Sequence, residues 1–344
     1  LIREFDIPDS LLVARVTGAR MVAPRHRCVA MPIDGGYVGM VDRDVFDEWL
    51  RVRAAAAGAE RRTGTFLRST PCADGSVEVE YRERDAAVRR VRARALVGAD
   101  GARSAVARQS VPGADEVPYV AAYHEIVRSP ADGAGGFDGR RCDVYYQGGL
   151  SPDFYAWIFP HGETASIGVG SAQKGFSLRS AVGRLRAETG LDGVETVRRE
   201  GAPIPMHPLR RWDDGRNVVL AGDAAGVVAP ASGEGIYYAM AGGRLAADAV
   251  EAFLVTGDAR SLALARRRFM KAHGRVFWVL GLLQRFWYSS DARRERFVSL
   301  CRDPDIQHLT WQAYMNKKLV RARPMAHVRI FAKDMAHLLG WARV

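Results

Sequence analysis

The chain has 344 residues, 48% of them hydrophobic, with seven Trp and eleven Tyr; that is enough apolar material for a substantial core over about two domains, and too much for a disordered segment. The four cysteines, Cys28, Cys72, Cys142 and Cys301, are far apart and form no CxxC pair, which argues against a disulfide framework, a structural zinc or any other metal site, and for a reducing cytoplasm. The formal charge of +11 is spread along the chain with no nucleic-acid motif, so it points to a solvated Arg-rich surface, a phosphorylated ligand or an anionic membrane.

In chain order, residues 11–41 alternate like strands broken by turns. Val41-Asp42-Arg43-Asp44 then opens a helix that Asp42 is placed to cap, with Phe46, Trp49 and Leu50 at helical spacing and Gly58 at its end. Strands are predicted over 60–69 and 76–82, joined by the turn Ala73-Asp74-Gly75, and over 91–97, running straight into Gly98. Residues 118–170 are rich in β-branched and aromatic residues between Gly/Pro turns, and 177–189 reads as a helix. Pro203, Pro205 and Pro208 mark an extended return, residues 217–221 form a short apolar strand, and the pattern is mainly helical from about 233. The longest apolar run, Val276 to Leu283, falls well short of the roughly 20 residues a spanning helix needs. No signal peptide is visible, and the polar-apolar start at Leu1 reads as internal to a longer protein.

Two glycine-rich runs carry the chemistry. Residues 217–226 are an apolar strand ending in Gly222-Asp223 and small residues. A carboxylate at the C-terminal end of such a strand can accept hydrogen bonds from ligand hydroxyls, and small neighbours let the backbone approach. Pro230, Gly233, Gly235 and Ile236 follow and lead into a helix whose first N–H groups suit a negatively charged ring edge. The second run is Gly98-Ala99-Asp100-Gly101-Ala102-Arg103-Ser104, with Arg103 a candidate phosphate contact or a surface residue at a helix start. Between them, Pro152-Asp153-Phe154-Tyr155-Ala156-Trp157-Ile158-Phe159-Pro160 puts three aromatics at alternate positions, hence on one strand face. That face suits a long polyene, or alternatively an ordinary core.

The glycine runs resemble the second FAD fingerprint and the Asp-Gly motif of aromatic-hydroxylase-like flavoproteins. The aromatic segment resembles the PxxYxWxFP motif of geranylgeranyl reductases of chlorophyll and bacteriochlorophyll synthesis. Val41-Asp42-Arg43, residues 170–175, residues 229–240 and the tail from Tyr314 to Leu319 extend that likeness over nearly the whole chain. The resemblance implies FAD held by Arg43, Asp100, Gly101, Arg103, Gly222, Asp223, Pro230, Gly233, Gly235 and Ile236. It implies an isoprenoid on Tyr155, Trp157, Phe159 and Pro160, with NADPH as reductant. It also implies a Gly-x-Gly-x-x-Gly strand-turn-helix and a Cys-Gly-Gly segment before Leu1; neither motif occurs in these residues.

The expected architecture is α/β: a Rossmann-like FAD-binding domain lacking its first βαβ, interrupted by a β-rich substrate domain, with a helical C-terminal region. The expected segments are 1–10 as a remnant of the FAD domain, 11–40 as strands of the substrate domain, 41–110 and 211–255 as the FAD domain, 111–210 as the substrate domain, and 256–344 as the helical region. The implied reaction saturates geranylgeranyl to phytyl, on the diphosphate or on the (bacterio)chlorophyll ester. Tyr155, His161 and Glu234 are candidate proton donors, and no residue is singled out as catalytic. Peripheral contact with a photosynthetic membrane is a further expectation, through residues 277–278 and 286–288. An aromatic monooxygenase and a non-catalytic lipid- or pigment-binding fragment are the alternatives.

Overall fold

The computed structural model describes residues 1–317, so Lys318 and Leu319 of the tail motif lie outside the described residues. The elements begin with β1 (Ala14–Val16), β2 (Gly18–Val22), β3 (Cys28–Pro32), β4 (Val38–Met40), α1 (Arg43–Ala56), β5 (Thr65–Pro71) and β6 (Val77–Arg82). They continue with β7 (Val88–Ala93), β8 (Leu96–Gly98), α2 (Ala105–Ser110), β9 (Tyr119–Arg128), β10 (Arg141–Tyr145), β11 (Ala156–His161) and β12 (Thr164–Ser171). Then come α3 (Leu178–Glu188), β13 (Thr196–Pro205), β14 (Val218–Leu220), α4 (Ile236–Thr256), α5 (Leu264–Trp287), α6 (Asp291–Leu300) and α7 (Pro304–Asn316). Ser104, Ser177, Ser290 and Asp303 cap α2, α3, α6 and α7 with side-chain oxygens, satisfying amides that a helix start leaves without partners. At α1 the expected cap differs: Asp42 offers its carbonyl to Phe46 N, while the Asp44 carboxylate accepts from Val45 N. Among the described residues, no helix is long and apolar enough to cross a membrane.

The chain divides into two compact units, one of residues 1–48, 121–202 and 282 onward, the other of 49–120 and 203–281. The first unit holds a seven-stranded sheet in the order β13-β9-β12-β11-β10-β2-β3. In it β9-β12, β12-β11, β11-β10 and β2-β3 pair antiparallel, and β10 pairs parallel with β2. Because side chains alternate along a strand, one sheet face collects Ala156, Ile158, Ala165, Ile167 and Val169, which pack with Ala181, Val182 and Leu185 of α3. Trp157, Phe159 and His161 therefore point to the other face. The prolines of β13 are tolerated because it is an edge strand. Pro160 sits in an interior strand, but the β10 pairing stops at Ile158, so its missing N–H costs no ladder bond there.

The second unit holds the antiparallel sheet β5-β6-β7 and a separate parallel pair, β14 with β8. The strand expected over 91–97 is thus two strands in two sheets. β7 ends at Ala93 beside β6, and β8 starts at Leu96 beside β14; residues 94–95 carry the chain from one sheet to the other. The core joins Val218, Val219 and Leu220 to Tyr238 and Ala246 of α4 and to Phe269 and Phe277 of α5.

Candidate active site

In the second unit the two glycine motifs are neighbours. Leu220 pairs with Gly98 in the parallel register, and Ala221 N donates to Gly98 O at 2.9 Å. The loops 99–104 and 222–226 therefore leave the same C-terminal edge side by side, the position where open α/β sheets hold ligands. Gly98 is needed for this approach: a Cβ there would stand 2.7 Å from Val106 and 2.8 Å from Leu220. Gly226, at φ +78°, is more constrained still, with a Cβ falling 2.2 Å from His207 O.

Asp223 lies in the short turn after β14, and its Oδ1 is 3.4 Å from where a Cβ of Gly235 would be. Gly235 is the residue before α4, which has no side-chain cap. The carboxylate and the start of α4 thus lie side by side. Gly235 has an ordinary φ of −116°, whereas Gly233, at φ +67°, uses the left-handed region that favours glycine. Ala231 takes φ +66° as well, inside a turn closed by Gly233 N to Ala229 O and Ala229 N to Glu234 O. Pro230 is buried in this turn. A carboxylate beside a helix start without a side-chain cap is an arrangement that could hold the flavin half of FAD.

The Asp-Gly loop is organised differently from its simplest reading. Both carboxylate oxygens of Asp100 are engaged locally: Oδ1 accepts from Ser104 Oγ, and Oδ2 accepts from Ala105 N (2.7 Å) and Val106 N (3.2 Å). Asp100 thereby shapes the start of α2, and Gly101, at φ +83°, makes the turn. Arg103 is exposed, and its carbonyl accepts from Arg108 Nη1 at 2.6 Å. A small cleft between the loops is lined by Ala102, Ser104, Arg108, Tyr119, Asp223 and Gly226. Arg108 and Tyr119 carry no motif of their own; Tyr119 reaches the loop through its hydroxyl, 2.7 Å from Ala102 O.

In the first unit the aromatic motif forms a row. Tyr155 and Trp157 have ring centres 5.8 Å apart, and Trp157 and Phe159 are stacked at 6.0 Å. Tyr155 precedes β11 and is buried, also contacting Tyr146 at 6.1 Å, whereas Trp157 and Phe159 are half-buried. Trp157 lies across Gly168 of β12, where a Cβ would come within 2.2 Å of its ring. The structure does not bring Pro160 to this row: it is buried on the opposite sheet face with Ile158. His161 ends the row, with its Nδ1 buried and without a hydrogen-bond partner among the described residues. The loop before the motif is fixed by buried Arg294, which donates to Pro152 O and Tyr288 O and pairs with Asp291. Arg43 is exposed on α1 and makes a two-pronged pair with Asp47, both bonds at 3.0 Å.

Residues 14–121 match the model of an FAD binding domain family. The chain is 55% identical to a geranylgeranyl diphosphate reductase of Rhodobacter capsulatus, over 99% of this chain and 86% of that protein. It is 35% identical to a chloroplastic geranylgeranyl diphosphate reductase of Oryza sativa subsp. japonica, over 98% of this chain and 76% of that one. A crystal structure of a geranylgeranyl bacteriochlorophyll reductase-like protein from Thermoplasma acidophilum superposes with a TM-score of 0.78 at 21% identity, covering 96% of this chain and 83% of that one. The chain belongs to the geranylgeranyl diphosphate reductase family.

Proposed function

We propose that this protein is an FAD-dependent reductase that saturates the double bonds of a geranylgeranyl chain, with NADPH as the source of reducing equivalents. The observation that carries the reading is the row Tyr155, Trp157 and Phe159, occurring in one chain with the paired flavin loops. Bound FAD supplies hydride chemistry. Asp223 and the start of α4 hold the ribityl chain and the pyrimidine edge, and Arg103 contributes a phosphate contact. The aromatic row offers the isoprenoid a face without hydrogen-bonding groups, which orients an alkene and keeps water from it. Of the three candidate proton donors, Tyr155 is the poorest acid, because burial pushes its phenol well above the usual range.

The test uses the full-length protein with FAD, NADPH and either geranylgeranyl diphosphate or geranylgeranylated pigment. A gain of two hydrogens per saturated bond by mass spectrometry supports the reading, and the preferred substrate separates free diphosphate from pigment ester. Oxygen uptake matching NADPH loss, with the double bonds unchanged, would instead indicate a monooxygenase. Replacing both Trp157 and Phe159 by alanine is expected to lower kcat/KM for the isoprenoid by about a hundredfold or more, since each removes an apolar contact of roughly 1.5–3 kcal/mol. FAD affinity should stay unchanged; equal loss of both counts against a substrate face.

Peripheral membrane contact is part of the proposal and is assigned to α5. Trp278 and Leu282, one turn apart, are 69% and 54% exposed. The helix contains no Asp or Glu and several basic residues, including exposed Lys271 and Arg275. An apolar pair among cations suits an anionic lipid surface. Co-sedimentation with vesicles containing phosphatidylglycerol is expected at low salt and should weaken in Trp278→Ser; equal recovery with neutral vesicles argues against it.

A further inference from the structure

Beside the aromatic row, four polar groups are joined end to end. Trp157 Nε1 donates to Ser166 Oγ at 3.0 Å. Ser166 Oγ is 2.9 Å from His124 Nδ1, and His124 Nε2 is 3.2 Å from Glu200 Oε2. The other Glu200 oxygen accepts from Arg198 Nε at 2.6 Å. The direction of these bonds follows from what each group can do. An indole N–H only donates, so Ser166 Oγ accepts from Trp157 and its own hydrogen is free for Nδ1 of a neutral imidazole. The remaining imidazole proton then sits on Nε2 and faces Glu200. Gly168 completes the arrangement, because a Cβ there would meet both the Trp157 ring (2.2 Å) and His124 Cβ (2.6 Å).

We infer that Ser166, His124 and Glu200 form a positioning chain that holds the Trp157 indole in the isoprenoid face and makes its placement depend on the protonation of His124; this rests on the reading of that face given above. With His124 neutral, each bond along the chain joins one donor to one acceptor. When the imidazole gains a proton, Nδ1 becomes a donor. Ser166 Oγ then receives hydrogens from both Trp157 and His124, and its own hydrogen loses its acceptor. The indole is the uncharged competitor for that oxygen and is loosened.

The ionisable groups facing His124 are Glu200 and Arg198 of β13 and His161 of β11, while β12 presents only Ser166 and Gly168. Burial pulls the imidazole below its ordinary value, Glu200 pulls it up, and Arg198 pulls it down; the net shift is downward. The neutral arrangement therefore prevails at pH 7, and the change lies below the usual value of about 6.5.

The test is the indole N–H resonance of Trp157 in the full chain labelled with 15N-tryptophan, assigned by its loss in Trp157→Phe. It is expected to move as the pH falls below the ordinary imidazole value of about 6.5. His124→Asn supplies an acceptor for Ser166 that does not titrate, so the resonance should keep its neutral-pH position and stay flat. Ser166→Ala cuts the chain and should lose both position and titration. It should also raise KM for the isoprenoid about fivefold, the worth of one hydrogen bond, with kcat within about twofold. His161→Gln should leave the titration in place. A resonance that ignores pH in the unaltered protein, or that still titrates in His124→Asn, overturns the inference whatever the turnover. If the resonances behave as expected but Trp157→Phe leaves KM unchanged, the chain is supported and the isoprenoid reading of the face is what fails.

Discussion

Replacing Arg186 by alanine is expected to destabilise the first unit by about 3–5 kcal/mol, the usual cost of removing one partner from a buried ion pair. Arg186 is 7% exposed. It donates to Leu191 O (3.1 Å), Asp192 O (3.2 Å), Val194 O, Thr196 Oγ1 (2.7 Å) and the Glu125 carboxylate. One side chain thus ties the end of α3 to the following turn and to β9, directly over the core that α3 covers. Without it, Glu125 keeps, among the described residues, Tyr123 OH and Arg199. Burial by itself pushes the Glu125 carboxyl up, but the bonds from Arg186, Tyr123 and Arg199 outweigh it and the net shift is downward. A carboxyl lowered on folding stabilises the protein above its unfolded value of about 4.3, and that contribution is lost as the pH falls through the folded value. The penalty in Arg186→Ala should therefore be full at pH 7 and shrink near pH 3. Urea unfolding at both pH values measures it, and a difference below about 1 kcal/mol at pH 7 would show that the pair contributes no more than an exposed one.

Asp223→Ala is expected to weaken FAD binding by about one to two orders of magnitude. A hydrogen bond to a charged group contributes roughly 1.5–3 kcal/mol, and each 1.4 kcal/mol is tenfold in affinity. The carboxylate stands where the turn after β14 lies against the start of α4. Asp223→Asn, which keeps an acceptor without the charge, should fall between the two. Flavin fluorescence titration reads the change, and circular dichroism checks that the fold persists. Unchanged affinity in Asp223→Ala would sink the assignment to the ribityl chain.

The parts legible in the sequence were those with a short-range physical signature. Alternation at Tyr155, Trp157 and Phe159 gave the shared face because strand geometry has period two. The apolar strand before Gly222-Asp223 was visible because a strand buried on both faces does not alternate. What stayed hidden depends on partners distant in sequence. Nothing local marks residues 94–95 as the place where the chain changes sheets, since periodicity reports burial and not pairing. Asp100 reads as a ligand carboxylate until α2 is seen to use both its oxygens. His124 and Ser166 are 42 residues apart, and only the β9–β12 register brings them together. Arg108 and Tyr119 carry no motif of their own, and Pro160 was joined to the isoprenoid site by the motif resemblance alone, while the pleat puts it on the other face.

The parallel pairing of β8 with β14 also sets an order of events during synthesis. About 120 residues separate Gly98 from Val218, and at roughly 5–20 residues per second the ribosome takes about 6–24 s to make them. Through that interval β8 lacks β14, its partner among the described residues, and the Asp-Gly loop lacks the turn that lies beside it. The intervening sheet can form in the meantime, since its strands β9 to β12 pair largely with one another. The flavin loops are consequently assembled late, after the body that carries the aromatic row. A nascent chain arrested before β14 would leave exposed the edge of β8 that β14 covers, and an uncovered strand edge invites pairing with other chains.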